Sequence, residues 1–132
     1  MAITTKQRLQ DAHSAIAAIQ RYVPSEALDR LNDDLTRSAV ERQLSIVREA
    51  LRVALLQDPS LRHRWPQLEA AMERCDQLRD WENPVEVQEL AEFVEGELQG
   101  WQERLAEVIG EAGDEEGEAG LADCRESEEL GI

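Results

Sequence analysis

Apolar residues in this 132-residue chain return every three or four positions, in segments cut apart by proline, asparagine and aspartate. That period fits one face of an α-helix and not a strand, whose side chains alternate every two. The chain is 42% hydrophobic but only 4% aromatic, so its core must be built from Leu, Val, Ile and Ala. These are residues that helices accept well, β-branched ones excepted, and the charged remainder is mostly Glu and Arg.

Taken in order, Leu9, Ile16, Ile19 and Val23 share a stripe with Ala12 and Ala15 beside them, predicting a helix over 5–22. Pro24-Ser25 breaks it, and Ser25 is placed to cap a short turn of helix ending near Leu31. Asn32-Asp33-Asp34 reads as a turn, with Asp34 or Thr36 capping a second long helix over 35–57. Its apolar set (Val40, Leu44, Val47, Leu51, Ala54 and their neighbours Ala39, Ile46, Ala50, Val53, Leu55) is wide enough to touch more than one partner helix. Asp58-Pro59-Ser60 stops it.

Residues 61–65 read as a connector or a helical turn. Pro66 suits a first helical position, and a third helix is predicted to about Arg79, burying Leu68, Ala71 or Met72, Cys75 and Leu78. After Asn83-Pro84 one continuous last helix is expected over 85–109, burying Val87, Leu90, Val94, Leu98, Trp101, Leu105 and Val108 at near-heptad spacing. Four amphipathic helices with short connections predict an all-α, up-and-down four-helix bundle with a short extra helix. The bundle domain is placed at 1–109 and an acidic, disordered tail at 110–132. Apolar surface left on such a bundle favours a homodimer, with its seam on the second or the last helix.

Charge sets the function classes. The chain carries −15 in all, −8 of it in residues 110–132. Nucleic-acid affinity rests on neutralising phosphates with Lys and Arg, so this field works against binding RNA. The acidic face of the last helix (Glu86, Glu89, Glu92, Glu95, Glu97, Glu103, Glu107) reads as solvated. Cys75 and Cys124 make no disulfide framework, no apolar run reaches the length of a bilayer, and the N-terminus lacks a signal core; a cytoplasmic protein is expected. No cofactor or metal constellation is legible.

Residues 33–56, DDLTRSAVERQLSIVREALRVALL, resemble the second-helix signature of HepT-like members of the HEPN superfamily, toxin halves of bacterial toxin–antitoxin pairs. Thr36, Ala39-Val40, Arg42, Leu44, Ile46-Val47 and Glu49-Ala50 carry the match, with Arg48 where that family has Gly. RLQDAHSAIAAI over 8–19 is similar to the family's opening helix, and Ala91-Glu92-Phe93-Val94 with Leu98 to its last. The resemblance spans about 6–109. It implies a HEPN-like bundle and an Arg, four to six residues, His, one residue, Tyr motif before the last helix. Here Arg74 takes the Arg position while Arg79 and Trp81 stand at the His and Tyr positions; a register one residue further puts Asp80 and Glu82 there.

The substitution removes chemistry. In the resembling toxins Arg holds the RNA phosphate and His moves a proton; Arg stays protonated above pH 12 and cannot replace it. Loss of a general acid–base group costs about 10²–10⁴ in rate. The family's Tyr receives AMP groups from the partner nucleotidyltransferase, and the indole of Trp81 has no phenolic oxygen to offer. No catalytic residue is therefore assigned with the motif degenerate at Arg74, Arg79 and Trp81. The resemblance implies a catalytically degenerate, dimeric interaction module with an MNT-type nucleotidyltransferase as partner. Alternatives are an active HepT-like ribonuclease toxin using Arg74, Arg79 and a carboxylate such as Asp80, and a helical scaffold or regulator unrelated to toxins.

Three other features have plain structural readings. Arg8 and His13 satisfy the spacing of the motif without its Tyr, and His13 is expected at the surface or the rim. Arg62-His63-Arg64-Trp65, basic with an aromatic, is expected to be a connector with Trp65 covering the bundle end. Arg74 and Arg79 are expected to pair within their own helix, with Glu73, Asp76 or Asp80.

Overall fold

A computed structural model describes the backbone of residues 3–78 and 84–123 and the side chains of 3–78 and 87–111. Every regular element among them is helical: α1 (Thr5–Tyr22), α2 (Ala27–Leu31), α3 (Asp34–Gln57), α4 (Leu61–Arg64), α5 (Leu68–Gln77), α6 (Pro84–Glu95) and α7 (Glu97–Asp123). The all-α bundle expected from the sequence is what the chain forms. No helix among the described residues is long and apolar enough to cross a membrane.

The α1 start is fixed by a reciprocal pair. Thr4 Oγ1 accepts from Gln7 N at 3.1 Å, and Thr4 N donates to Gln7 Oε1 at 2.8 Å, satisfying donors that a helix start leaves open. At α3 the cap is Asp33, one residue before the expected Asp34; its carboxylate accepts from both N and Oγ1 of Thr36 at 2.9 Å. Asp33 wins because its extended backbone points the carboxylate back over the first turn. At α2, Ser25 does not cap: Glu26 holds that place in the left-handed region, φ 53°, with no side-chain cap bond. Pro66 precedes α5 in a turn instead of opening it, and α5 ends at Gln77.

α3 lies at the centre, packed on α1, α5 and α2, while α7 packs on α1 and α6 on α2. Leu9, Ile16 and Ile19 of α1 meet Leu44, Val47 and Leu51 of α3 in one continuous core, all fully buried. Burying each such side chain stabilises the fold by about 1.5–3 kcal/mol. Ala71 is the buried member of the α5 pair and Met72 packs at the margin. Cys75 is wholly buried and acts as a small apolar filler.

The single last helix expected over 85–109 is two helices. Gly96 breaks it: its N–H reaches the carbonyls of both Glu92 (3.0 Å) and Phe93 (3.3 Å). A Cβ there would meet Glu92 O at 3.2 Å. Glycine costs about 1 kcal/mol relative to Ala inside a helix, so a change of axis is cheapest where it stands. The break lets α6 seat on α2 while α7 runs along α1, and Phe93 and Trp101 stack edge to face across it at 4.9 Å. The expected heptad set is nevertheless buried in this chain's own core, with Leu90, Leu98 and Leu105 fully enclosed and Val94 and Trp101 at its edge. α7 is assigned through Asp123, beyond Gly110 where the composition turns acidic.

Candidate functional site

Of the three positions singled out by the resemblance, Arg74 is the one described, in the last turn of α5. Its guanidinium leaves its own helix. Nη1 donates to Glu89 Oε2 of α6 at 2.6 Å and Nε to Glu97 Oε1 of α7 at 3.1 Å, with the ring centroid of Phe93 6.0 Å away. The expected pairing within α5 is thus replaced by a clamp across the Gly96 break. Both carboxylates come from the face read as merely solvated, and they lie 15 and 23 residues downstream, where helical spacing carries no signal.

Around the clamp a groove of about 570 Å³ is lined by Trp65, Gln67, Ala70, Arg74, Glu97, Gly100, Trp101 and Arg104. Partial burial alone would make Arg74 easier to deprotonate, but the hydrogen bonds and charges of Glu89 and Glu97 outweigh it and raise its pKa above the ordinary guanidinium value. Two anions thus compensate one fixed cation. The two carboxylates hold Nε and Nη1, and their charge opposes an incoming phosphate.

Neither His13 nor His63 lines the groove. Arg79 and Trp81, like Asp80 and Glu82 of the alternative register, lie outside the described residues. No group of three His, Cys, Asp or Glu side chains among the described residues is placed to hold a metal ion.

The neighbouring basic cluster is tied down as a connector. Arg62 makes a two-pronged contact with Glu69 at 3.0 and 3.1 Å, Arg64 Nη2 reaches Asp58 at 2.6 Å, and Trp65 is buried at one end of the groove. Glu69 is held below the usual carboxylate range by the Arg62 hydrogen bond and charge. Arg48 stands 2.8 Å from Asp76 of α5 through Nε, a charge contact without hydrogen-bond alignment. From the sequence Arg48 stood out only as an Arg where the resembling family has Gly; its partner on α5 was not foreseen.

Set against family models, curated proteins and solved structures, the chain matches none.

Proposed function

We propose that this protein is a catalytically degenerate HepT-like chain that works as a dimeric interaction module, with a nucleotidyltransferase of the MNT type as its partner. One observation carries the reading: Arg74, the position the family uses to grip RNA phosphate, is spent on Glu89 and Glu97 in a groove without an imidazole. An arginine so compensated organises three helices, and among the described residues no imidazole stands beside it. The −15 net charge acts in the same direction by repelling a polyanion.

The resemblance in the second helix supplies the partner class, and the missing Tyr defines the relation. A nucleotidyltransferase would meet this surface as a binding partner without transferring AMP to a phenol at position 81, where Trp stands. The test is direct. Purified protein incubated with tRNA and total RNA leaves both intact, and its expression does not arrest growth. Degradation of RNA that disappears in an Arg74→Ala variant would overturn the reading in favour of an active ribonuclease.

A further inference from the structure

The outer face of α3 carries a row that the core does not use. Leu35, Ala39, Arg42, Ile46, Glu49, Val53 and Leu56 follow one another at alternating steps of four and three, on the side of the helix opposite buried Leu44 and Leu51. Leu35 is 83% exposed, Leu56 68% and Ile46 38%. Single exposed apolar residues are ordinary, but a heptad row sustained over most of a helix is the pattern of a helix seam.

The row is also its own complement. Turned end over end about Ile46, it sets Leu35 opposite Leu56, Ala39 opposite Val53 and Arg42 opposite Glu49, with Ile46 meeting Ile46. Self-complementarity of this kind is what a two-fold interface between identical chains requires. A parallel pairing would put Arg42 against Arg42 and Glu49 against Glu49. Arg42 makes no hydrogen bond or ion pair with the described residues, whereas Glu49 already accepts from Arg52 at 2.6 and 3.1 Å and keeps lone pairs for a second guanidinium. Beside the row, a groove of about 560 Å³ between α1 and α3, floored by Ala15 and Ala50, leaves room for the edge of another helix.

We infer that the occupant of this face is a second copy of the chain, its α3 packed antiparallel on the first across a two-fold axis at Ile46, with Arg42 of each copy paired to Glu49 of the other. The inference rests on the dimeric reading above and deepens it by fixing face, direction and register. It also takes the seam away from the last helix, whose heptad is buried within its own chain.

Sedimentation equilibrium over a wide dilution series, on the full chain, tests it. The wild type sediments as two chains. Ile46→Glu, Arg42→Glu and Glu49→Arg each reduce the mass to one chain with the helical circular dichroism retained, and the double variant Arg42→Glu/Glu49→Arg returns it to two. A second probe does not depend on tolerance of a buried charge: Ile46→Cys in a Cys124→Ser chain forms a disulfide-linked dimer on mild oxidation, because the axis brings the two thiols together. A monomeric wild type, a dimer indifferent to Ile46→Glu, or a double swap that stays monomeric overturns the inference. RNA cleavage reads separately: a monomer that spares RNA removes the seam and the dimeric part of the reading but leaves the lost catalysis standing, and a dimer that cuts RNA removes the functional proposal and leaves the seam.

Discussion

Two arginine-bearing surfaces of this protein have opposite balances. In the groove at α5, α6 and α7, Arg74 has two carboxylates within 3.1 Å and an aromatic ring beside it. On the outer face of α3, Arg42 has no hydrogen-bonded or ionic partner among the described residues, and in the adjoining groove Arg8 Nε is buried without a hydrogen bond. The first surface is compensated within the chain; the second leaves a charge and apolar side chains open to solvent. Sequence position alone does not separate the two arginines; what separates them is which carboxylates the fold brings within reach.

The largest effect that separates the two surfaces comes from their apolar members. Trp65, 4% exposed at the end of the Arg74 groove, belongs to the core, whereas Ile46 stands 38% exposed on α3. Trp65→Ala should cost about 3–5 kcal/mol in urea unfolding, the range for emptying a large aromatic site. Ile46→Ala, which removes a side chain already partly in water, should cost the isolated chain only about 1 kcal/mol and act mainly on association. Equal losses from the two substitutions, measured at a concentration where the chain is monomeric, would erase the distinction.

A smaller effect probes the clamp itself. Arg74→Met keeps the aliphatic stem against Phe93 and removes the charge, leaving Glu89 and Glu97 to repel each other across the Gly96 break. The side chain is 24% exposed and its partners about half exposed, so solvent screening limits the loss to about 1 kcal/mol. The loss should shrink as salt rises and be largely recovered by adding Glu97→Gln. A greater loss insensitive to salt would mean that Arg74 packs more than it pairs.

Helix periodicity made the bundle legible: α1 has the expected bounds, and α3 differs from expectation by one residue at its start. The buried set of the last segment was also readable, since its heptad depends only on local spacing. What escaped was long-range. Nothing within one helix turn tells Arg74 to reach past Glu73 for Glu89 and Glu97, or Arg48 to find Asp76. Gly96 was overlooked because a lone glycine inside a strong apolar period is tolerated at low cost, and only the need to seat α6 and α7 on different neighbours turns it into a break. Of the outer row of α3, only Ala39, Ile46 and Val53 stood in the broad apolar set read from the sequence, and Leu35 and Leu56 were missed, because which residues face outward depends on where α1 and α5 settle.

Glycines sharpen the same comparison at smaller cost. Gly100 opens into the Arg74 groove with nothing within 4 Å of the place where a Cβ would stand, whereas at Gly96 that atom would meet Glu92 O at 3.2 Å. Gly100→Ala should stabilise the fold by up to about 1 kcal/mol, the difference between the two residues inside a helix, and Gly96→Ala should gain less or lose.

The finest effect is electrostatic and sits at the start of α3. Asp33 is held below the usual carboxylate range, first by the backbone N–H of Thr36 and then by its hydroxyl. A carboxyl whose folded pKa lies beneath its unfolded value of 3.8 lends stability that is fully present above that value and disappears as pH falls through the folded one. Asn at this position still accepts from Thr36 but cannot ionise. The stability gap between wild type and Asp33→Asn, followed by thermal melting, should therefore be constant near neutrality and close in acid. A gap that persists below the folded pKa would assign the preference for Asp to shape and not to charge, and the α3 start would then owe nothing to the ionised carboxylate.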